Sequence, residues 1–168
     1  MKMSVRLAMA AVWLAGALTA QQSYDLVVYG GTAGGAMTAV AGARQGLKVA
    51  LVNPGRHIGG LVSGGLSGTD TGRREVIGGL ALEFYFRAGR YYGLDWMPEP
   101  KVAEQIMRDM LKEHGVTLIE NSPLREKTGV AKDGTRITEI VTLNGTRFRA
   151  KVFVDSSYEG DLMAQAKV

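Results

Sequence analysis

Residues 27–35 read VVYGGTAGG. A β-branched run meets a glycine cluster, and an alanine-rich stretch follows. That order describes a strand, a tight turn and the start of a helix, where unpaired backbone N–H groups face outward and favour an anion. A dinucleotide frame of the form GxGxxG, placed on Gly30 and Gly35, finds Thr32 at the middle position, where glycine normally lets the backbone approach a phosphate. Thr32 adds a Cβ and a hydroxyl. The hydroxyl has two uses there: bonding a phosphate oxygen or capping the helix. The candidate cradle is therefore Gly30, Gly31, Thr32, Ala33, Gly34 and Gly35. A Walker-type loop is excluded because no Gly-Lys-Ser/Thr follows. As a bare motif the stretch balances evenly between a nucleotide site and a plain strand–helix turn; its setting favours the site.

That setting is a βαβ unit over residues 24–52. Tyr24–Tyr29 is a short apolar run ending at glycine, which predicts a buried strand. Thr32–Gln45 is rich in alanine and predicts a helix that lies close to a sheet, with Gly46 where a helix C-terminal cap belongs. Lys48–Val52 predicts a second buried strand. The unit implies a parallel sheet with a right-handed crossover. A second test of the dinucleotide reading is an acid at the end of the second strand, for the ribose hydroxyls. Asn53 stands there, with Pro54 and Arg56 beside it. Asparagine can bond a ribose but carries no charge. Arg56 is read equally as a phosphate partner or a solvated loop residue.

Residues 53–79 form a glycine-rich loop, unusually long unless functional. Helices are predicted over 80–92 and 101–114, the second amphipathic through Val102, Ile106 and Met110. A third strand is predicted over 116–120. The texture then changes to a three-stranded antiparallel meander over 125–152. Its segments are 125–131, 136–143 and 146–152, with turns at Asp133-Gly134 and Asn144-Gly145. Asn144-Gly145-Thr146 also matches a glycosylation sequon, but the hairpin explains it better. A returning strand follows over 152–155, and then SSYEGDL.

Composition narrows the function. The chain has 168 residues and 23 glycines, which cluster in residues 30–93 without a repeat period. It has no cysteine, which excludes disulfides, redox dithiols and cysteine-linked cofactors. His57 and His114 are its two histidines, too few for a histidine-based zinc site, and no metal is expected. His57 is read as a loop polar residue in preference to a covalent flavin attachment point. The net charge is +4, and removing Lys2 and Arg6 leaves +2, too little to argue for nucleic acid. Arg73–Arg74 and Arg147/Arg149 read as solvated faces.

Residues 1–20 have the layout of a secretory signal: Lys2 and Arg6, an apolar stretch from Leu7 to Ala20, then Gln21–Gln22. As a helix that stretch spans about 21 Å, short of a hydrocarbon core of about 30 Å. Export to the periplasm or medium is expected, without a stable membrane anchor.

Four stretches carry a family resemblance: YDLVVYGGTAGG, NPGRHIGGLVSGGLSGTD, EPKVAEQIMRDML and FVDSSYEGDL. Together they resemble the FAD-dependent oxidoreductases of the two-domain, glutathione-reductase-like flavoprotein class, within it the bacterial secreted, xanthan-lyase-like branch. The family's first loop commonly reads Gly-Gly-Thr-x-Ala/Ser-Gly, so Thr32 is its usual residue, whereas Asn53 departs from its usual glutamate. The resemblance implies an α/β, Rossmann-like FAD-binding domain with a parallel sheet interrupted by the meander. It implies that the loop from Gly59 to Gly65, with Gly60, Ser63 and Gly64, lies along the ribityl chain and ring edge of FAD. Ser156 would sit in the turn near the cofactor. Glu159 and Asp161 would face the cofactor or substrate; the bland reading is that they cap the next helix. It further implies that residues 21–168 are the N-terminal, incomplete part of that domain and that the substrate domain lies beyond Val168. The expected activity is oxidation of a small-molecule or carbohydrate-derived substrate by FAD. Two alternatives stand beside it: a non-catalytic dinucleotide-binding fragment, and an exported carbohydrate-processing protein with structural FAD. No catalytic residue and no oligomeric state are assigned.

Overall fold

The computed structural model describes residues 22–66, 70–92 and 96–168; the expected signal segment lies outside them. Twelve segments of regular structure follow in chain order. They are β1 (Gln22–Tyr29), α1 (Ala33–Arg44), β2 (Val49–Val52), two short 3-10 turns (Gly60–Val62, Arg74–Val76), α2 (Gly79–Tyr92), α3 (Pro100–Glu113), β3 (Thr117–Ile119), β4 (Val130–Asp133), β5 (Arg136–Val141), β6 (Arg147–Asp155) and α4 (Asp161–Ala166). The strands form one six-stranded sheet in the order β3-β2-β1-β6-β5-β4. β3, β2, β1 and β6 run parallel. β4 and β5 add an antiparallel hairpin at one side. This is an α/β, Rossmann-like architecture.

β1 is the centre of the sheet and is buried on both faces, as a parallel strand covered on both sides must be. Leu26 and Val28 face a core shared with Ala36, Ala39 and Val40 of α1, Phe84 and Ala88 of α2, and Ile106, Met107 and Met110 of α3. Val27 and Tyr29 face a second core with Val52, Leu124, Ile140, Phe148 and Leu162. Tyr29 also accepts a hydrogen bond from the Leu124 amide at 2.9 Å, which fixes the entry to the hairpin region.

The chain leaves β1 toward β2 on one side and returns as β6 on the other. The strand order therefore reverses at β1. In open α/β sheets the crevice outside the strand ends at such a reversal is where ligands bind. The glycine cluster sits at that point.

The meander differs in three ways from its sequence reading. Its third segment and the returning strand are one continuous strand, β6, which pairs with β5 through Arg147–Arg149 and with β1 as far as Asp155. Its first segment reaches extended pairing only at Val130, because residues 126–129 turn instead and Arg125 and Gly129 bond singly to Val141. The first hairpin turn falls at Gly134-Thr135, one residue late, because Asp133 still pairs with Arg136 and Gly134 takes the left-handed conformation. The second turn spans Leu143-Asn144-Gly145 and is closed by Gly145 N–H to Thr142 O at 2.8 Å. Arg147 and Arg149 are half exposed and both pair with Glu139, which is buried on β5.

The three helices on one face are tied at their outer edge by charge. Glu83 on α2 meets Arg44 on α1 at 2.8 Å and Arg87 at 2.9 Å, and Arg87 reaches Glu113 on α3 at 2.8 Å. Arg44, with Arg87 in support, outweighs the opposing effect of partial burial and lowers the Glu83 carboxyl from 4.5 to about 2. A carboxylate with a depressed folded value contributes stability that is present above its unfolded value and lost as pH falls through the folded one. The unfolding free energy is therefore expected to drop between pH 4.5 and about 2. Glu83→Gln should flatten that part of the profile in acid titrations followed by circular dichroism; an unchanged profile would contradict the assignment.

Candidate functional site

The turn from β1 into α1 is built by contacts from three distant segments. Thr32 caps α1: its Oγ1 accepts from Gly35 N–H at 3.1 Å and donates to Ser156 O at the end of β6 at 2.9 Å. Of its two possible uses, the hydroxyl takes the cap. Gly30 and Gly35 are there for space. A Cβ on Gly30 would lie 2.5 Å from Ser157 N, and one on Gly35 would lie 2.0 Å from Gly30 O.

Gly34 is different. It is exposed, and a Cβ there would meet only Thr32 Oγ1, at 3.8 Å. Its amide lies in the first turn of α1 and has no acceptor within the helix. α1 carries no acidic residue in that turn. The helix N-terminus thus presents open space, an N–H group and the positive end of a dipole with no carboxylate to repel an anion. A pyrophosphate fits this donor set. Ala33 lies beside Gly34 and is partly buried.

At the end of β2 the side chain of Asn53 is buried and fully engaged. Its Oδ1 accepts from Gly31 N–H at 2.8 Å, and its Nδ2 donates to Gly55 O and His57 O, both at 2.9 Å. It pins the loop after β2 against the glycine turn. Pro54 is half-buried and Arg56 exposed. Arg56, His57, Glu104, Arg108, Glu120 and Asn121 line a groove of about 550 Å³ beyond the ends of β2 and β3. Arg108 crosses it, pairing with Glu104 at 2.8 Å and Glu120 at 2.7 Å and donating to Arg56 O.

The loop from Gly59 to Gly65 runs along the other flank. Gly59 N–H donates to Gly31 O at 2.7 Å, which docks the loop against the cradle. Ser63 is buried, and its hydroxyl donates to Ile58 O at 2.6 Å, so its role in the structure is to fold the loop. Gly60, Gly64 and Gly65 are not buried. Tyr158 bridges this loop to the segment after β6: its OH accepts from Leu61 N–H at 2.6 Å, and a Cβ on Gly60 would sit 2.1 Å from that oxygen.

After β6, Asp155 and Ser157 organise the turn. Asp155 accepts from Ser157 N–H at 2.9 Å and Met163 N–H at 2.8 Å, and Ser157 Oγ accepts from Gly160 N–H at 3.0 Å. Ser156 is half-buried against the cradle, while Glu159 and Asp161 are exposed at the start of α4. Sequence reasoning did not single out Glu104 or Tyr158. Nothing local marked either of them.

Glu104 is the carboxylate that gathers the β2 side. It accepts from Ile58 N–H at 3.1 Å, pairs with Arg108, and meets His57 Nδ1 at 2.8 Å. Burial disfavours its charge, but the Ile58 amide, Arg108 and His57 outweigh burial and hold the carboxyl below its ordinary value. Both ring nitrogens of His57 are engaged, Nδ1 with Glu104 at 2.8 Å and Nε2 with Ser63 Oγ at 3.0 Å.

The profile of the family described as FAD dependent oxidoreductase matches residues 25–168. The chain belongs to this family. Its cofactor is FAD. No curated protein sequence matches the flavoprotein. Similar solved structures include L-proline dehydrogenase from P. horikoshii, at 14% identity and TM-score 0.67, covering 89% of this chain and 57% of that one. L-amino acid deaminase from Proteus vulgaris matches at 17% identity and TM-score 0.61, covering 88% and 50%. A geranylgeranyl bacteriochlorophyll reductase-like protein from Thermoplasma acidophilum matches at 19% identity and TM-score 0.66, covering 89% and 43%. At these identities the likeness shows the fold, and the flavoprotein spans about half the length of these structures.

Among the described residues no helix is long and apolar enough to cross a membrane, and no group of three or more His, Cys, Asp or Glu side chains is placed to hold a metal ion.

Thr32→Ala removes both the cap and the tie to β6. It is expected to lower the unfolding free energy by about 1–2 kcal/mol in urea denaturation, and Thr32→Ser should retain most of the stability. Equal stability of the alanine variant and the wild type would contradict the role given to the hydroxyl.

Proposed function

We propose that this chain is the FAD-holding part of an exported flavoenzyme that takes a hydride or electron pair from a small organic or carbohydrate-derived substrate. The observation that carries the reading is the open, acid-free helix N-terminus of α1 at the strand-order reversal. Family membership supports it. Export is inferred from the charged-then-apolar order of residues 1–20. The four stretches quoted above support placement in the secreted, xanthan-lyase-like branch.

When bound, FAD supplies the two-electron chemistry, and the protein binds, orients and shields it. The first turn of α1, through Gly34, holds the pyrophosphate. Gly31 and the loop after β2, with Pro54 and Arg56, border the adenosine side. Asn53 acts there by fixing the backbone, its polar groups being engaged with Gly31, Gly55 and His57. The Gly59–Gly65 loop offers a flat backbone to the ribityl chain and ring. Ser156, Glu159 and Asp161 border the same crevice from the β6 side.

The test is whether the purified full chain shows a flavin absorption band that survives gel filtration, alone or after loading with FAD. Gly34→Asp adds a carboxylate in open space at the helix start. It should weaken FAD binding about tenfold or more by repulsion of the phosphates, while leaving the melting temperature equal or higher, since an acid suits a helix N-terminus. A well-folded chain that stays colourless with excess FAD would overturn the reading.

A further inference from the structure

The loop thought to carry the flavin has little rigidity of its own. Gly59 and Gly60 both adopt the left-handed conformation, and two further glycines follow within five residues. Such a segment loses much conformational entropy on ordering. Its shape therefore depends on staples from outside the loop: Gly31 O at Gly59, Tyr158 at Leu61, and His57 at Ser63, the last joined through the ring to Glu104.

That set fixes a proton count. The Glu104 carboxylate accepts from His57 Nδ1, so Nδ1 carries a hydrogen. The Ser63 hydroxyl has one hydrogen, and it goes to Ile58 O at 2.6 Å. Ser63 Oγ can then meet His57 Nε2 at 3.0 Å as a hydrogen bond only if Nε2 also carries a hydrogen. The complete bond set belongs to the imidazolium. In the neutral ring Nε2 is an acceptor, so Ser63 must choose between Nε2 and Ile58 O, and one of the two close contacts loses its proton.

We propose that His57 is a positioning residue for the flavin loop. Its doubly protonated ring links Glu104 on α3 to Ser63 and so holds Gly59–Gly65 in the shape that receives FAD. This rests on the reading of that loop as a flavin contact. The charged groups around His57 are Glu104 and Arg108 from α3, Glu120 at the end of β3, and Arg56 beside it in its own loop. Carboxylates and guanidinium groups keep their charge across the imidazole range. Among these side-chain types, imidazole is the one that exchanges its proton near neutral pH. The sign follows: the pin is complete when the ring is protonated, and FAD affinity falls as rising pH removes that proton.

The experiment titrates FAD into the full chain, following flavin fluorescence from about pH 5.5 to about 8.5, the interval in which histidine titrates. The wild type should lose affinity about three- to fivefold across it, the worth of a part-exposed charge pair. His57→Gln should bind more weakly with a flat profile. His114→Gln, which changes the other histidine, should keep the wild-type slope. A wild-type slope in His57→Gln, or a flat wild type, overturns the proposal. If His57→Gln does not fold, Ser63→Ala removes the partner of Nε2 and should flatten the profile in the same way. Long-range proton–nitrogen spectra of the FAD-free chain supply an independent readout, and a neutral His57 ring at the acid end overturns the proposal. If the chain takes no FAD at any pH, the flavin reading falls, and the pin is judged on the loop alone. Amide protection of Gly59–Gly65 that weakens as pH rises in the wild type but not in His57→Gln supports it; protection with no such difference overturns it.

Discussion

One hydroxyl holds the glycine turn between β1 and α1 together. Thr32 Oγ1 caps α1 by accepting from Gly35 and donates to Ser156, a residue 124 positions later in the chain. The cap sets where α1 begins and therefore which amides, those of Ala33 and the exposed Gly34, have no acceptor within the helix. The tie to Ser156 sets how closely the end of β6 approaches the turn, and that approach is tolerable only because Gly30 has no Cβ to meet Ser157. A glycine at position 32 would allow a closer phosphate but would supply neither bond. The cradle trades close approach at one position for a junction between both halves of the sheet.

The parallel half of the fold was legible in the sequence because buried parallel strands carry unbroken apolar runs. YDLVVY and KVALV both end where glycine or asparagine breaks the pattern, and the alanine face of α1 marks close packing on them. β6 was harder to read. It begins with alternating residues, Arg147-Phe148-Arg149, where antiparallel β5 flanks one side, and ends with Val152-Phe153-Val154, where β5 has gone and parallel β1, its neighbour since Phe148, remains. The loss of one of two neighbours part-way along a strand looks like two strands, since periodicity reports burial and not continuity. The first hairpin turn slipped by one residue for a related reason: Asp133-Gly134 marks a turn nearby, but the pairing of Asp133 with Arg136 decides its register.

The candidate site was legible as a glycine pattern and less so as a set of working side chains. Position 53 follows from the Rossmann spacing, yet the bonds of Asn53 to Gly31, Gly55 and His57 depend on how a loop folds back and leave no local trace. Glu104 lies on an amphipathic helix, where a charged residue looks like ordinary solvent cover. Only the docking of α3 beside the loop after β2 brings it to Ile58 and His57. In both flanks of the crevice the glycines supply room, and polar residues anchored elsewhere supply order. That division of labour explains how a loop so rich in glycine holds a defined shape.

The central claim is that the first turn of α1 receives the pyrophosphate of FAD. The most direct measurement follows backbone amide chemical shifts of the isotopically labelled full chain during titration with FAD. The account predicts that the amide of Gly34 moves most, with those of its immediate neighbours in the turn, and that these shifts saturate together with those of the Gly59–Gly65 loop. FAD binding that leaves the Gly34 amide unmoved, with the shifts concentrated on another surface, would contradict it.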